Sequence, residues 1–469
     1  MKNNFLFLTL LALFTLVSCS DDDSKTVQEF VVAFENPSVS FSADETTKEV
    51  KLVFSRAATE DGIATISYTT VNAAYGTDFT TDPSGESGTF EVALVAGTSA
   101  STFTFNKLQN PIEGTEMSVA LKLDRVTNPE GDVRGNTTLD VNFTESAATG
   151  GVISPEVGGP NQPNQVYVDL SAQTQTAVKR DVWDLGFYAG DEFRVVLNGS
   201  IYMAAKALET TDIDAVTEAD VAEFQSSVAV GTFSAESAGY IDNPAGALSG
   251  TAIAEISETE ADNKVYLLNL GSEIGTETPE NGSIDVTDDA RGWRKIKINR
   301  SGNDYVLQYA ELNATTHNEV IISKDEAYNF TFFSFATEAA AEVEPAKDKW
   351  DLNFTVFTNE IPGYGAYGYA DYVTTNIKQS ASAYMVSEED FTYEDFTASN
   401  VDEASLLEDQ RGIGSNWRNA GGPSSLPSLK EAVFFVVKDA NGNYYKVRFT
   451  ALLSESGERG YPSFEYALL

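Results

Sequence analysis

The sequence is poor in the side chains that carry most nucleophilic and metal chemistry. Its 469 residues include one cysteine (Cys19), one histidine (His317) and four methionines. A single cysteine excludes an internal disulfide. With one histidine, and with Cys19 assigned below to another role, neither a Ser-His-acid nor a Cys-His nucleophile can be assembled. We therefore expect a protein that is not an enzyme.

Positive charge is also scarce. The chain has 30 Lys and Arg against 71 Asp and Glu, which gives a formal net charge of −41 at pH 7. Nucleic acid and anionic membrane surfaces would both repel it, so neither is expected as a partner. The carboxylates are spread along the whole chain, so the charge predicts solubility and marks no particular acidic site.

An apolar run near the N-terminus is too short to span a membrane comfortably. It covers residues 5–17, follows Lys2 and ends at Leu16-Val17-Ser18-Cys19, a pattern that predicts a signal peptide over residues 1–18. Cys19 then resembles the lipidated first residue of bacterial lipoproteins. Residues 19–29 contain an acidic run, which is either a disordered tether or, by resemblance, a surface-export signal. Together these features predict a lipid-anchored outer-membrane protein exposed on the cell surface.

Residues 30–145 read as a β-sandwich, because short segments of period-two alternation are separated by turn residues. These segments are residues 39–41, 49–54, 64–68, 102–105 and 118–123. Residues 66–80 and 113–116 resemble the signature of Calx-β domains. Asp78 and Glu113 are isolated acids rather than a cluster of converging oxygen ligands, so calcium is not expected. The alternative for this domain is a plain structural spacer.

A linker rich in Gly and Pro, residues 146–164, precedes two copies of one unit. Trp183-Asp184-Leu185 in the first copy is echoed by Trp350-Asp351-Leu352 in the second, and residues 302–309 are echoed by residues 442–449. We expect each Trp to be a core anchor and each Asp to accept hydrogen bonds from nearby backbone N–H groups. At the start of the last echo, the dipeptide Asn441-Gly442 predicts a hairpin turn rather than a calcium loop.

The order of these marks predicts one unit over residues 165–315 and another over residues 316–469. When the two copies are matched in this way, residues 319–324 open the second unit as residues 165–171 open the first. The predicted fold class is mainly β: an N-terminal β-sandwich followed by two tandem, mostly antiparallel β units with few short helices. A short capped helix or turn is predicted in each unit, at residues 216–224 and 386–391.

Several marks together resemble a known family. They are the strand-like stretch at residues 165–171, the Trp-Asp-Leu-x-Phe motif, and a closing stretch at residues 433–449 with Phe-Phe-Val and Gly-Asn-x-x-Lys-Val. The two units resemble the HmuY family of haem-capturing lipoproteins. The resemblance implies mainly β, surface-lipidated proteins that take haem from host or environmental haemoproteins. They pass it to a partner outer-membrane receptor, here expected to be TonB-dependent.

Haem iron requires axial ligands such as His, Met, Cys thiolate or Tyr. Cys19 is used for the lipid, Met1 is removed with the signal peptide, and Met117 falls in the N-terminal sandwich. Met203, Met385 and His317 remain as candidate haem ligands. The alternative is that both methionines fill the core and that His317 is an exposed histidine between the two units.

A second group of candidate ligand contacts is aromatic. Residues 362–372 are rich in Gly and Tyr and are interpreted as a loop, in which Tyr364, Tyr367 and Tyr369 could stack on a porphyrin or a sugar ring. The alternative is a tyrosine-rich hairpin loop that packs on its own sheet. Trp417 and Arg418 form an aromatic–cation pair suited to a carboxylate such as a haem propionate, or else a purely structural pair.

The expected function is therefore ligand capture at the cell surface. The resemblance implies haem as the ligand, with uptake through the receptor. The alternative is a glycan-binding or adhesive surface lipoprotein that does not bind haem, in which the sandwich is a stalk and the aromatic segments form the contact face.

Overall fold

The computed structural model describes residues 29–43, 45–127, 131–422 and 425–469. The predicted signal peptide, Cys19 and nearly all of the acidic tether lie outside these residues. The chain divides into two compact units. The first holds the residues up to Pro111 together with Glu116–Thr144, and the second holds Ile112–Thr115 together with Glu145–Leu469. Each unit is described by itself.

The first unit is built from strands β1 to β10. They are β1 Val31–Phe34, β2 Ser38–Phe41, β3 Thr47–Phe54, β4 Gly62–Val71, β5 Phe79–Asp82, β6 Thr89–Leu94, β7 Ala100–Lys107, β8 Ser118–Thr127, β9 Asp132–Val133 and β10 Thr138–Phe143.

These strands form two five-stranded sheets, in the orders β5-β7-β3-β1-β9 and β2-β10-β8-β4-β6. In β3, Val50, Leu52 and Phe54 are buried while their neighbours along the strand are more exposed. One face of the strand therefore lines the core, as period-two alternation requires. Phe79 and Phe105 stack within this core, with ring centroids 5.2 Å apart. The predicted β-sandwich is confirmed.

The second compact unit holds both copies of the repeated unit and contains strands β11 to β30. They are β11 Gly150–Ile153, β12 Asn164–Asp169, β13 Thr174–Lys179, β14 Leu185–Tyr188, β15 Val195–Leu197, β16 Ala204–Ala207, β17 Val265–Asn269, β18 Trp293–Ser301, β19 Asp304–Ala310, β20 Asn318–Ile322, β21 Phe330–Ser334, β22 Ala339–Ala341, β23 Leu352–Ile361, β24 Gly365–Thr375, β25 Ser382–Ser387, β26 Arg418–Asn419, β27 Ser428–Leu429, β28 Val433–Lys438, β29 Tyr444–Leu453 and β30 Arg459–Leu468.

Helices are short in the described residues, and none of them is long and apolar enough to cross a membrane. The α-helix α1, Glu218–Val221, begins after a capping box formed by Thr217 and Asp220, so the helix predicted at 216–224 is confirmed. Residues 386–391 end strand β25 and then form a turn at residues 388–390, so the helix or turn predicted there is a turn. The 3-10 helices are Gly199–Ile201, Gln225–Ser227, Ala235–Tyr240, Leu248–Gly250, Glu260–Asp262, Ile377–Gln379, Ala398–Asn400 and Glu403–Ser405.

The two copies interlock through exchanged strands. One four-stranded sheet has the order β13-β12-β23-β24, and another has the order β15-β14-β21-β22. In the first, Tyr167 of β12 lies opposite Asn353 of β23. In the second, Gly186 of β14 lies opposite Phe332 of β21. The opening strand of each copy therefore pairs with the Trp-Asp-Leu strand of the other copy, and the fold class predicted for this region, two mainly antiparallel β units, is confirmed.

Each copy also contributes a five-stranded sheet, in the orders β16-β17-β18-β19-β20 and β25-β28-β29-β30-β11. Strand β20 pairs with β19 in the first of these sheets, so the predicted equivalence of residues 319–324 with residues 165–171 is wrong. The counterpart of β12 is β21. The echo of residues 302–309 in residues 442–449 also joins strands that are not equivalent. Strand β19 is fourth in its sheet, whereas β29 is third. Within the predicted linker, β11 pairs with β30 and completes the second sheet.

A buried asparagine holds the chain around each Trp. Asn198 Nδ2 donates hydrogen bonds to the carbonyl oxygens of Arg180 and Trp183, at 2.6 and 2.8 Å. In the second copy, Asn376 Nδ2 donates to the carbonyl oxygens of Lys347 and Trp350, at 2.8 and 3.0 Å. Both asparagines thus bond the carbonyl of the Trp and the carbonyl of the residue three positions before it. This repeated arrangement fixes the two indoles on matching backbone.

The aspartates after the tryptophans also act on the backbone. Asp351 accepts hydrogen bonds from the N–H groups of Leu170 and Ala440, both at 2.8 Å. Asp184 accepts one from the N–H of Phe335 at 2.6 Å. The predicted role of these aspartates as acceptors of backbone donors is confirmed.

Candidate functional site

The two tryptophans lie in one apolar cluster formed by both copies. The Trp183 ring packs edge-on against Phe332, with centroids 4.8 Å apart, and the Trp350 ring packs edge-on against Tyr167 at 5.0 Å. Both indoles are 8% exposed and share the cluster with Val343. Since β21 and β12 are equivalent strands, each Trp contacts the same position of the opposite copy. The prediction that Trp183 and Trp350 are core anchors is confirmed.

A cavity of about 200 Å³ adjoins this cluster. Its wall combines Trp183, Trp350 and Tyr167 with residues of β23 and β24, the asparagines Asn198 and Asn376, and a segment at residues 241–248. In that segment, Asn243 and Ala247 are exposed to solvent. The cavity therefore lies between the copies and is covered on one side by a surface segment.

Charged groups in the cavity wall are mostly acidic. Glu344 Oε1 accepts a hydrogen bond from the Phe330 N–H at 2.8 Å, and burial raises the pKa of Glu344 to about 7. Asp242 accepts hydrogen bonds from two backbone N–H groups, and desolvation raises its pKa to about 6. The Lys378 Nζ donates to the Gly246 carbonyl at 2.5 Å, and burial lowers its pKa. The two acids have raised pKa values, so the net charge of the wall is small, and the Lys378 ammonium group is already hydrogen-bonded.

The candidate axial ligands are placed on different parts of the second unit. Met203 is 1% exposed and belongs to both the first copy's core and the cavity wall. Met385 is 41% exposed on β25, with its Sδ 3.7 Å from Lys430 Nζ. His317 directly precedes β20, and its Nδ1 lies 2.9 Å from Asp214 Oδ1. The cavity is lined by Met203 but by neither of the other two.

The tyrosine-rich segment is mainly a strand. Only residues 362–364 form the turn, and β24 begins at Gly365, so the loop predicted over residues 362–372 is wrong beyond the turn. Tyr364 in the turn is 60% exposed. Tyr367 lies 5.8 Å from the ring of Phe233 and 5.6 Å from that of Tyr369. We call the group Phe233, Tyr367 and Tyr369 the aromatic surface.

Phe233 was missed by sequence reasoning, and it is the most exposed member of the aromatic surface at 65%. Its φ of 54° lies in the left-handed region, which non-glycine residues rarely adopt. The local signal, Gly231-Thr232-Phe233-Ser234, reads only as a turn. Its approach to Tyr367 depends on a contact between distant segments and could not be seen in either stretch alone.

Trp417 and Arg418 are buried and already engaged. The Trp417 ring stacks on Phe449 at 4.3 Å, and its Nε1 donates to the Asp371 carbonyl at 3.2 Å. Arg418 donates to the Ala370 carbonyl at 2.5 Å and forms an ion pair with the Asp371 carboxylate at 3.4 Å. Arg459 also binds that carboxylate, at 2.6 Å. These contacts fit the structural alternative for the Trp–Arg pair.

No group of three or more His, Cys, Asp or Glu side chains that could hold a metal ion occurs in the described ranges. The Asp78 carboxylate accepts a hydrogen bond from the Ala74 N–H at 2.8 Å. Glu113, in the second unit, binds Lys349 at 2.8 Å and the Ser171 hydroxyl at 2.9 Å.

The haem that the sequence resemblance implies can be compared with these positions. The cavity is smaller than the roughly 300–1,000 Å³ of pockets that enclose drug-sized ligands, and Met203, Met385 and His317 are not brought together around it. The cavity therefore does not fit an axially ligated haem. The aromatic surface is open and offers flat faces and tyrosine hydroxyls, which suit the face of a porphyrin.

Comparison with known proteins gives one family. The model of the family described as HmuY protein matches residues 161–324 and 326–466, so it covers both copies. None of the curated proteins compared with the chain matches it. The apo-form Calx CBD1 domain aligns at 13% identity over 24% of this chain and 99% of its own, with a TM-score of 0.20.

A two-domain protein with unknown function from Bacteroides fragilis aligns at 11% identity. The alignment covers 65% of this chain and 90% of the other, with a TM-score of 0.19.

Proposed function

Because the chain belongs to the HmuY family, we propose that it is a surface lipoprotein that captures haem for uptake through a partner outer-membrane receptor. The family match over both copies is the observation that carries this proposal. The chain acts as a binding protein and not as an enzyme, in keeping with its single histidine. Haem comes from host or environmental haemoproteins, and the receptor is TonB-dependent.

The remaining parts of the chain serve presentation. The signal peptide directs export, lipid on Cys19 anchors the protein in the outer membrane, and the acidic tether keeps it on the cell surface. The N-terminal sandwich is a Calx-β-like spacer that works without calcium. In this arrangement the two interlocked copies face the medium.

The aromatic surface is the proposed contact for haem. Phe233 and Tyr367 are 65% and 38% exposed, so a flat ring laid on them would remove apolar area from water. Tyr369 lies beside Tyr367 and adds a third ring. Tyrosine hydroxyls can also ligate haem iron, which makes Tyr367 and Tyr369 the ligating side chains available there. Tyr364, in the turn that precedes β24, is a third candidate.

A haemin titration tests this proposal. We expect haemin added to the soluble protein, prepared without residues 1–28, to shift the Soret absorption band in a saturable manner. Phe233→Ala and Tyr367→Ala should weaken binding by up to about tenfold each, because each removes a stacking ring. Met203→Leu, Met385→Leu and His317→Gln identify any axial ligand by the loss of the shift. No Soret shift in either the ferric or the ferrous state would contradict haem capture.

Glycan binding is the alternative function, and the same exposed Phe233–Tyr367 pair favours it, since aromatic faces also stack on sugar rings. Here the sandwich is a stalk and the aromatic surface is adhesive. Retention on immobilised glycans that is lost in Phe233→Ala, together with an unshifted Soret band, would support this alternative over haem capture.

A further inference from the structure

The cavity between the copies holds most of the unpaired polar atoms of the described chain. Seven buried side-chain N or O atoms in the described residues have no hydrogen-bond partner. Five of the seven belong to residues of the cavity wall: Gln165 Nε2, Trp183 Nε1, Trp350 Nε1, Asn353 Oδ1 and Thr375 Oγ1. Leaving a buried donor or acceptor unpaired costs more than a typical hydrogen bond contributes. Such a concentration in one cavity indicates an occupant that pairs with them.

The unpaired groups include both donors and acceptors. The indole N–H groups of Trp183 and Trp350 donate only, the Thr375 hydroxyl both donates and accepts, and the Asn353 Oδ1 accepts. The four side chains other than Asn353 are at most 8% exposed. A ligand that satisfies this set must carry acceptors for the indoles and donors for the oxygens. Hydroxyl groups meet both demands at once.

The two copies contribute unequally to this set. Asn353 lies three residues after Trp350, where the first copy has Gly186 three residues after Trp183. A Cβ at Gly186 would meet the side chain of Val196 at 2.8 Å and that of Phe332 at 3.2 Å, so this position admits no side chain. The equivalent position in the second copy carries an amide. At this position the second copy therefore adds a polar group to the cavity wall, and the first copy adds none.

Size and charge narrow the class of occupant. Cavities of about 150 Å³ admit benzene, so a cavity of about 200 Å³ has room for one substituted six-membered ring. The carboxyl groups of Glu344 and Asp242 line the wall, and the Lys378 Nζ is already bonded to the Gly246 carbonyl. An anionic ligand would meet these acids without a free cation to pair with. A neutral ring is favoured.

We propose that the cavity between the two copies binds a neutral, hydroxylated single-ring molecule of the size of a monosaccharide. The Trp183 and Trp350 N–H groups donate to its oxygens, and Asn353 and Thr375 accept from its hydroxyls. This site is separate from the aromatic surface and does not depend on haem capture. The chain then carries an internal site for a small sugar in addition to its surface site.

Tryptophan fluorescence and thermal unfolding in the presence of glucose, galactose and N-acetylglucosamine test this proposal. At least one of the three sugars should change the fluorescence in a saturable manner and raise the Tm of the purified protein. Thr375→Val removes one bonding hydroxyl with little change of volume, so it should weaken that binding by about tenfold. Phe233→Ala is the control, and it should bind the sugar like the parent.

Two results would overturn the proposal. If none of the three sugars changes the fluorescence or the Tm of the parent, the cavity holds ordered water only. If Thr375→Val binds sugar like the parent while Phe233→Ala does not, the sugar binds at the aromatic surface instead. Neither result depends on the Soret band, so the failure of the sugar site and the failure of haem capture are measured separately.

Discussion

The two copies share their backbone devices but differ in the side chains that those devices present. Each has a Trp whose carbonyl is bonded by a buried asparagine, Asn198 or Asn376. Each asparagine is followed by a 3-10 turn that ends in a left-handed residue, Tyr202 or Ser380. In contrast, the strand position facing the opposite Trp is Phe332 in one copy and Tyr167 in the other. Duplication has thus preserved the elements that hold the scaffold, while the residues lining the cavity have diverged.

The aspartates sharpen this contrast. Asp351 is bonded only to backbone N–H groups, and burial raises its pKa to about 8. Asp184 is completely buried and pairs with Arg291 Nη1 at 2.6 Å. The same motif residue therefore stabilises a charged pair in one copy and a neutral turn in the other.

Truncating either Trp anchor should give the largest loss of stability. Trp183→Ala and Trp350→Ala should each lower the free energy of unfolding by about 3–5 kcal/mol, because both indoles fill the shared cluster. Urea denaturation measures this. If one variant keeps the stability of the parent while losing ligand, that Trp is a binding residue and not an anchor.

Replacing the aspartates should separate the copies. Asp184→Asn removes the buried anionic partner of the Arg291 guanidinium, which is 9% exposed, and leaves it the more distant and exposed Glu273 carboxylate at 3.7 Å. The substitution should cost about 3–5 kcal/mol at pH 7. Asp351→Asn removes a carboxyl that is largely protonated at this pH, and should cost only about 1–2 kcal/mol through one mismatched backbone donor. Equal losses in chemical denaturation would show that the two environments are equivalent after all.

The pH dependence of stability should report on Glu344, which is 8% exposed and lines the cavity from the second copy. Its folded pKa of about 7 exceeds its unfolded value of 4.5, so the folded state holds the proton more tightly. The contribution is fully present below pH 4.5 and is lost as the pH rises through 7. Between pH 5 and pH 8 the free energy of unfolding should therefore fall by about 2–3 kcal/mol less in Glu344→Gln than in the parent. Identical falls would mean that Glu344 is solvated.

The sequence contained much of the local architecture and little of the pairing between copies. Strands such as β3 could be predicted because one of their faces is buried, which leaves alternation in the sequence. The repeated Trp-Asp-Leu identified both anchors. The pairing of β12 with β23 joins segments far apart in the chain, and no local pattern encodes it.

The loop predicted for the tyrosine-rich segment was wrong for a different reason. Its glycines suggested a loop, but Gly368 lies within β24, where the ring of Tyr202 leaves no room for a Cβ. Glycine there permits close packing rather than a turn. The unpaired atoms of the cavity, including Gln165 Nε2 and Thr375 Oγ1, were equally invisible, since each belongs to a stretch that reads as an ordinary strand.

The Soret band of haemin added to the parent, Phe233→Ala and Thr375→Val tests most directly whether and where haem binds. We expect a saturable shift in the parent, weaker binding in Phe233→Ala, and parent-like binding in Thr375→Val, since we propose that haem binds at the aromatic surface and not in the cavity. An unshifted band in the parent, or a shift that Thr375→Val abolishes and Phe233→Ala preserves, would contradict it.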